Sequence, residues 1–328
     1  DKGYLGVELF FVLSGFILCH VYLEAAGEKR FTYKGFLWAR VARVYPLHIA
    51  TLLGVGALAV GALAAGMSVD GNILSWASLP ANVTMTHAWG LATEAGWNHP
   101  SWSISAEWFA YLSFPAFAFV AWRLRHQPVL AVIGAAAALA ALYAVFETAA
   151  GFPLTQATIH WGALRIVPCF ALGCALYLMY RRGPIARPGW TALILTLLIV
   201  ASASLRLWDA VTVILFGGLI LALASLANEK AGLLASKPAV YLGEISYSVY
   251  MVVVPWKLLA VNAAAMLTDA GPDKRLHVFV WLIVLAGLPV VAAVSYHLVE
   301  CPARRALRRM AERRSERRSR AAAAQPAE

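Results

Sequence analysis

The chain consists of long apolar runs separated by short polar stretches, and the runs lack the period-two alternation of half-buried strands. Runs of roughly 17–25 apolar residues can cross a hydrocarbon layer about 30 Å thick as helices. Lipid offers backbone amides no partners, so a spanning segment must be a helix or part of a closed barrel, and runs without alternation fit only helices. Nine runs qualify: Leu5 to Leu23, Tyr45 to Gly66, Ser101 to Ala121, Pro128 to Ala149, Leu164 to Tyr180, Trp190 to Leu205, Ala210 to Ala227, Tyr241 to Leu267 and Leu276 to Glu300. The pattern therefore predicts an all-α fold, a polytopic transmembrane helix bundle.

Composition agrees: 61% of the 328 residues are hydrophobic, 13% are charged and the mean hydropathy is +0.69, which excludes an ordinary soluble domain. Charge then orients the bundle. The stretch Glu24 to Val44 holds Lys29, Arg30, Lys34, Arg40 and Arg43. Later loops on the same side hold Arg123 and Arg125, then Arg181, Arg182 and Arg187, then Lys230 and Lys237. Met67 to Pro100, on the opposite side, holds no Lys or Arg. The positive-inside rule places Glu24 to Val44 and the C-terminus in the cytoplasm. Nine arginines between Arg304 and Arg320 supply much of the net charge of +10. A juxtamembrane basic tail of this kind suits the anionic inner leaflet, so the expected partner is the lipid bilayer and not nucleic acid. The division expected is a transmembrane domain over 1–303 and a basic cytoplasmic tail over 304–328. Cys19, Cys169, Cys174 and Cys301 have neither disulfide nor zinc-site spacing and read as small packing residues. No metal site, Walker loop or dinucleotide glycine fingerprint stands out.

Ionisable residues inside spans mark function or a structural pairing, because lipid penalises an isolated charge by a few kcal/mol or more, on the order of 3. Glu8, His48, Glu107, Glu244, Lys257 and His297 are the cases. Glu107 lies about a turn and a half into its span, in "NHPSWSISAEWFAYLSFP", with Ser103 at i−4 and Tyr111 at i+4 on one helical face. An early helix start would extend that face to His99, and Trp102 and Trp108 would sit at the membrane interface. Two readings of Glu107 stand together: a catalytic carboxylate with Ser103 and His99, or a carboxylate paired with a base such as Lys257 or Arg165 to hold helices in place.

In "WARVARVYPLH", Arg40 and Arg43 at i, i+3 put two guanidinium forks on one side of a helix ahead of Pro46. Such forks suit the phosphates of a nucleotide, and they also suit plain positive-inside anchoring. Ser14-Gly15, in "GVELFFVLSGFIL", reads as a close-packing point for another helix. "YLGEISYSVYMVVVP" sets Tyr247 and Tyr250 near a helix start, and "YHLVECPARRALRR" ends the last span with Glu300 and Pro302.

The order GVELFFVLSGFIL, R-x-x-R-x-x-P (Arg40, Arg43, Pro46), W-S-I-S-A-E (Trp102 to Glu107), L-G-E-I-S-Y-S-V-Y and a terminal E-x-P resembles the acyltransferase 3 family over nearly the whole chain. The resemblance implies a multi-pass protein of the bacterial inner membrane, with about ten spans and both ends in the cytoplasm, and transfer of an acyl group, commonly acetyl from acetyl-CoA, to a carbohydrate outside. In that family the first span carries R-x10-H with a histidine regarded as catalytic. Here Asp1 begins just before the second span, so the domain is expected to be N-terminally truncated. Where relatives often read Y-L-L-H-x-P, this chain has Val253 in the histidine position.

The expectation is thus O-acylation: acyl-CoA as co-substrate held by Arg40 and Arg43, and a carbohydrate acceptor hydroxyl oriented by Glu107, Ser103 and His99. Oligomeric state is left open. The alternative is a transporter or flippase of a lipid-linked or acylated glycan, which would also place polar residues inside a multi-span bundle.

Overall fold

The computed structural model describes residues 2–94, 96–230, 232–267 and 277–323. Helices make up the fold: α1 (Gly6–Gly27), α2 (Tyr33–Ala64), α3 (Leu79–Val83), α4 (Trp102–Arg123), α5 (Pro128–Ala150), α6 (Gly162–Tyr180), α7 (Pro188–Ser204), α8 (Asp209–Lys230), α9 (Lys237–Leu267), α10 (Val278–Ser295) and α11 (Cys301–Ala323). No strand occurs among the described residues. Eight helical segments among them are long and apolar enough to cross a membrane, and α7, with 17 residues, falls just short. All nine expected runs are helical over most of their described residues, with Ala65, Gly66, Leu205 and His277 outside the helices, and Leu276, at the start of the last run, lies outside the described residues.

Two boundaries differ from expectation. Helix α2 begins at Tyr33, because nothing after the extended Thr32 breaks the helix, so Arg40 and Arg43 lie on its second and third turns. The last run is not one straight span: α10 ends at Ser295, and a π-helical turn, Tyr296–Glu300, joins it to α11. Such turns insert an extra residue and often occur at functional positions.

The chain divides into two compact units. The first comprises Asp1–Phe31, Pro80–Thr93 and Trp102–Ala239. Its centre is α6, whose apolar window is 72% buried. Apolar side chains gain nothing by leaving lipid for one another, so small residues that let backbones approach decide how such helices pack. Gly15 of α1 meets the Phe170 backbone of α6, and Gly173 of α6 meets Val12 and Phe16 of α1. The packing expected of Ser14-Gly15 is thus present at Gly15. Tyr143 of α5 reaches Cys169 of α6 at 3.4 Å, and Ser202 and Thr212 join α7 to α8 at 2.7 Å. All four cysteines are free and buried, as expected of packing residues.

The second unit comprises Thr32–Leu79, Glu94–Ser101 and Val240–Glu328. Within it, Trp97 holds the connection after α2 by donating from Nε1 to Ser75 O at 3.0 Å, with its ring edge-on to Trp76. Pro255 interrupts α9 and cannot donate to Met251 O. Asn98 Nδ2 takes that place, donating to Met251 O at 3.0 Å and to Thr51 Oγ1 at 3.1 Å.

Candidate active site

Helix α4 sets the register of the first cluster. Ser103, Glu107 and Tyr111 follow one another at single-turn spacing; Ser103 and Tyr111 are buried and Glu107 is half-buried between them. Across from this face, Ser14 Oγ of α1 donates to Glu107 Oε1 at 2.8 Å. Glu107 enters no ion pair among the described residues, and its Oε2 accepts no hydrogen bond from them. It is therefore a carboxylate oriented through one oxygen, with the other available as an acceptor. Ser14 was read from the sequence only as part of a packing point; its hydroxyl is the contact that sequence reasoning missed.

Arg165 does not pair with Glu107. Its Nε donates to Glu8 Oε1, its Nη1 to Ala157 O at 2.7 Å, and its guanidinium lies 4.6 Å from the Trp102 ring. Both partners of the ion pair are almost fully buried. Trp102 is accordingly buried under this cation. Ser105, beside the cluster, is occupied structurally: its Oγ accepts from Ala88 N and its carbonyl from Trp89 Nε1, each at 2.9 Å. His99 is exposed, lies in the turn His99–Ser101 and belongs to the second unit.

The second unit carries the basic cluster. Arg43 Nη1 donates to Glu300 Oε1 at 3.1 Å, and its guanidinium lies 5.9 Å from the Tyr247 ring. Glu300, at the end of the π turn, is 1% exposed and also accepts from Ser248 Oγ at 2.8 Å, with Arg304 at 3.7 Å. Tyr247 donates to Val44 O at 2.6 Å, fastening α9 beside the arginines. Tyr247 and Tyr250 lie well inside α9, not near its start, because the helix already begins at Lys237. Arg40, one turn before Arg43, lies 5.9 Å from the Phe36 ring. One nitrogen of Arg43 is thus committed to Glu300, which fixes the fork while leaving several of its five N–H donors for another anion. His48, fully buried one turn deeper, lies 6.4 Å from Tyr45 ring to ring. No group of three His, Cys, Asp or Glu that could hold a metal ion occurs among the described residues.

A family model described as an acyltransferase domain matches residues 3–300. Over 205 residues the chain is 32% identical to the acyltransferase MdmB of Streptomyces mycarofaciens, covering 57% of this chain and 49% of that protein. Over 51 residues it is 49% identical to protein 2 in the picA locus of Rhizobium radiobacter, covering 16% of this chain and 27% of that one. The chain thus spans about half the length, or less, of the curated relatives it matches. No solved structure matches.

Proposed function

This chain belongs to the acyltransferase 3 family, and from that premise we propose that it transfers an acyl group, acetyl from acetyl-CoA, to a hydroxyl of an exported or cell-surface carbohydrate. The observation that carries the reading is the Ser14–Glu107 hydrogen bond, which aims a half-buried carboxylate with one oxygen uncommitted. An acceptor hydroxyl donating to Oε2 would be held by a fixed acceptor as its oxygen attacks the thioester carbonyl. The C–S bond then breaks, an ester C–O bond forms, and the hydroxyl proton ends on the CoA sulfur. Holding the reacting oxygen in line is worth a large part of such a barrier. Ser103 and His99 are proposed as further contacts of the acceptor. Arg40 and Arg43 are proposed to grip the CoA phosphates at the cytoplasmic end, with Glu300 keeping the Arg43 fork in place.

The positive-inside distribution of Lys and Arg supports this sidedness, with donor and C-terminus in the cytoplasm and acceptor across the inner membrane. The experiment is label transfer from radiolabelled acetyl-CoA to the glycan fraction in membranes expressing the chain. The expected result is transfer that Glu107→Gln abolishes and Ser14→Ala reduces, at unchanged membrane levels of protein. Arg40→Gln with Arg43→Gln should raise the acetyl-CoA concentration needed. Absence of transfer from the parent chain would overturn the reading in favour of a transporter.

A further inference from the structure

A cavity of about 260 Å³ opens at the end of the first unit where α1 and α8 begin and α5 and α7 end. Its wall includes Tyr4, Glu147, Gln156, Arg206, Trp208 and Asp209. Three observations set its chemistry. Asp209, buried at the first position of α8, is saturated: it accepts from Lys2 and Thr155 and, at 3.1 and 3.2 Å, from the Tyr4 hydroxyl. That clasp holds the floor, and Lys2 closes it by donating to Leu207 O at 2.7 Å. Trp208 is 41% exposed, and its Nε1 leans on Glu147 Oε2 at 3.3 Å, so the ring is steadied while a face stays open. Arg206 is exposed and makes no hydrogen bond through its side chain or ion pair among the described residues.

The backbone of Arg206 sharpens this last point. It stands at φ +53, just past the end of α7, with its N–H on Ala203 O and the Leu207 N–H on Ser202 O. That is the left-handed helix-ending position where glycine is favoured and a Cβ is strained. Lys29 and Arg187 hold similar positive φ angles elsewhere, so what distinguishes Arg206 is this strained position combined with its place on the cavity wall. The charges lining the cavity, Lys2 and Arg206 against Glu147 and Asp209, cancel. A phosphate would require an excess of positive charge. A neutral polyol needs both donors and acceptors, which Arg, Glu and Gln supply, together with an aromatic face for its C–H surface.

We propose that this cavity binds one neutral sugar ring of the acceptor glycan, with Arg206 and Glu147 reading hydroxyls and Trp208 beneath the ring. Its volume, a little under the 300 Å³ or so at which ordinary ligand clefts begin, suits one ring and not several. The assignment rests on the carbohydrate-acceptor reading above. Glu107 lies in the same unit.

The test uses the full chain in detergent, titrated calorimetrically with methyl α-D-glucopyranoside, methyl α-D-mannopyranoside and methyl α-L-rhamnopyranoside, and with inorganic phosphate. At least one glycoside should bind. Trp208→Ala and Arg206→Gly should each weaken it about tenfold, as removal of a principal partner does. Arg206→Gly relieves backbone strain, so its thermal stability should equal or exceed the parent's, which separates lost binding from lost folding. Binding of phosphate in preference to every glycoside marks an anionic headgroup site and overturns the proposal. Equal glycoside binding by parent and both variants, or none by the parent, overturns it too. Glycoside binding without acetyl transfer sinks the catalytic reading and leaves the cavity assignment standing; transfer whose acceptor dependence Arg206→Gly leaves untouched does the reverse.

Discussion

The approach of α1 to α6 can be tested with a single methyl group. A Cβ placed on Gly15 would lie 2.9 Å from the Phe170 carbonyl carbon and 3.1 Å from its Cα, with the carbonyl oxygen nearer still. From the other helix, a Cβ on Gly173 would lie 2.8 Å from Phe16 N and 3.0 Å from the Val12 carbonyl carbon. Carbon atoms rest at about 3.5–4.0 Å, so either substitution must push the helices apart by roughly half an ångström or more. The obstructing atoms are helix backbone on both sides, which cannot swing away as the end of a side chain can. Overpacking of this kind costs about 1–3 kcal/mol. Alanine's better helix propensity, about 1 kcal/mol, works in the opposite direction.

Gly134, in α5, supplies the control, since a Cβ there meets nothing within 4 Å. Gly134→Ala should be neutral or stabilising by up to about 1 kcal/mol, whereas Gly15→Ala and Gly173→Ala should each destabilise by about 1–2 kcal/mol net. Thermal unfolding of the purified chain in one detergent, followed by tryptophan fluorescence, reads all three. Because Ser14 adjoins Gly15 on α1, Gly15→Ala should also loosen the Ser14–Glu107 hydrogen bond and lower acetyl transfer more than its stability loss explains. If Gly15→Ala and Gly134→Ala unfold alike, the close contact of α1 with α6 is refuted.

Three further outcomes follow from pairings in the structure. Glu8→Gln leaves the Arg165 cation buried without its counter-charge and should cost about 3–5 kcal/mol in the same unfolding assay, while Glu8→Met with Arg165→Met should come close to the parent; equal losses would refute the pairing. Glu300→Gln should raise the acetyl-CoA concentration for half-maximal transfer about tenfold with little change in kcat, because Arg43 loses the partner that fixes its fork; an unchanged KM would remove Glu300 from the donor site. Asn98→Leu should cost about 1–3 kcal/mol by leaving Met251 O without a donor, and adding Pro255→Ala, which restores the helical N–H, should recover part of it; simple additivity of the two changes would exclude the link.

What the sequence disclosed and what it withheld divide along a physical line. Hydrophobic length is a local property, and every span appeared where apolar residues accumulate. Boundaries failed where no local signal exists: nothing in the residues before Tyr45 forbids helix, so α2 starts far earlier, and the π turn after Ser295 has no compositional mark. A buried charge announces that it has a partner, since lipid penalises a bare one, but does not name it. Arg165 is separated from Glu8 by 157 positions, Glu107 from Ser14 by 93 and Arg43 from Glu300 by 257.

Those separations explain why the hydrogen-bond partner of Glu107 could be named only in three dimensions. Arg165, a base considered as a partner for Glu107, is present in the first unit. Glu8 takes it instead, fully buried, with Trp102 and Ala157 completing the cation's shell. An ion-paired glutamate on α1 and one without an ion pair among the described residues on α4 thus coexist in the first unit. Ser14, a neutral donor, orients Glu107 without cancelling its charge, as the proposed acceptor-binding role requires.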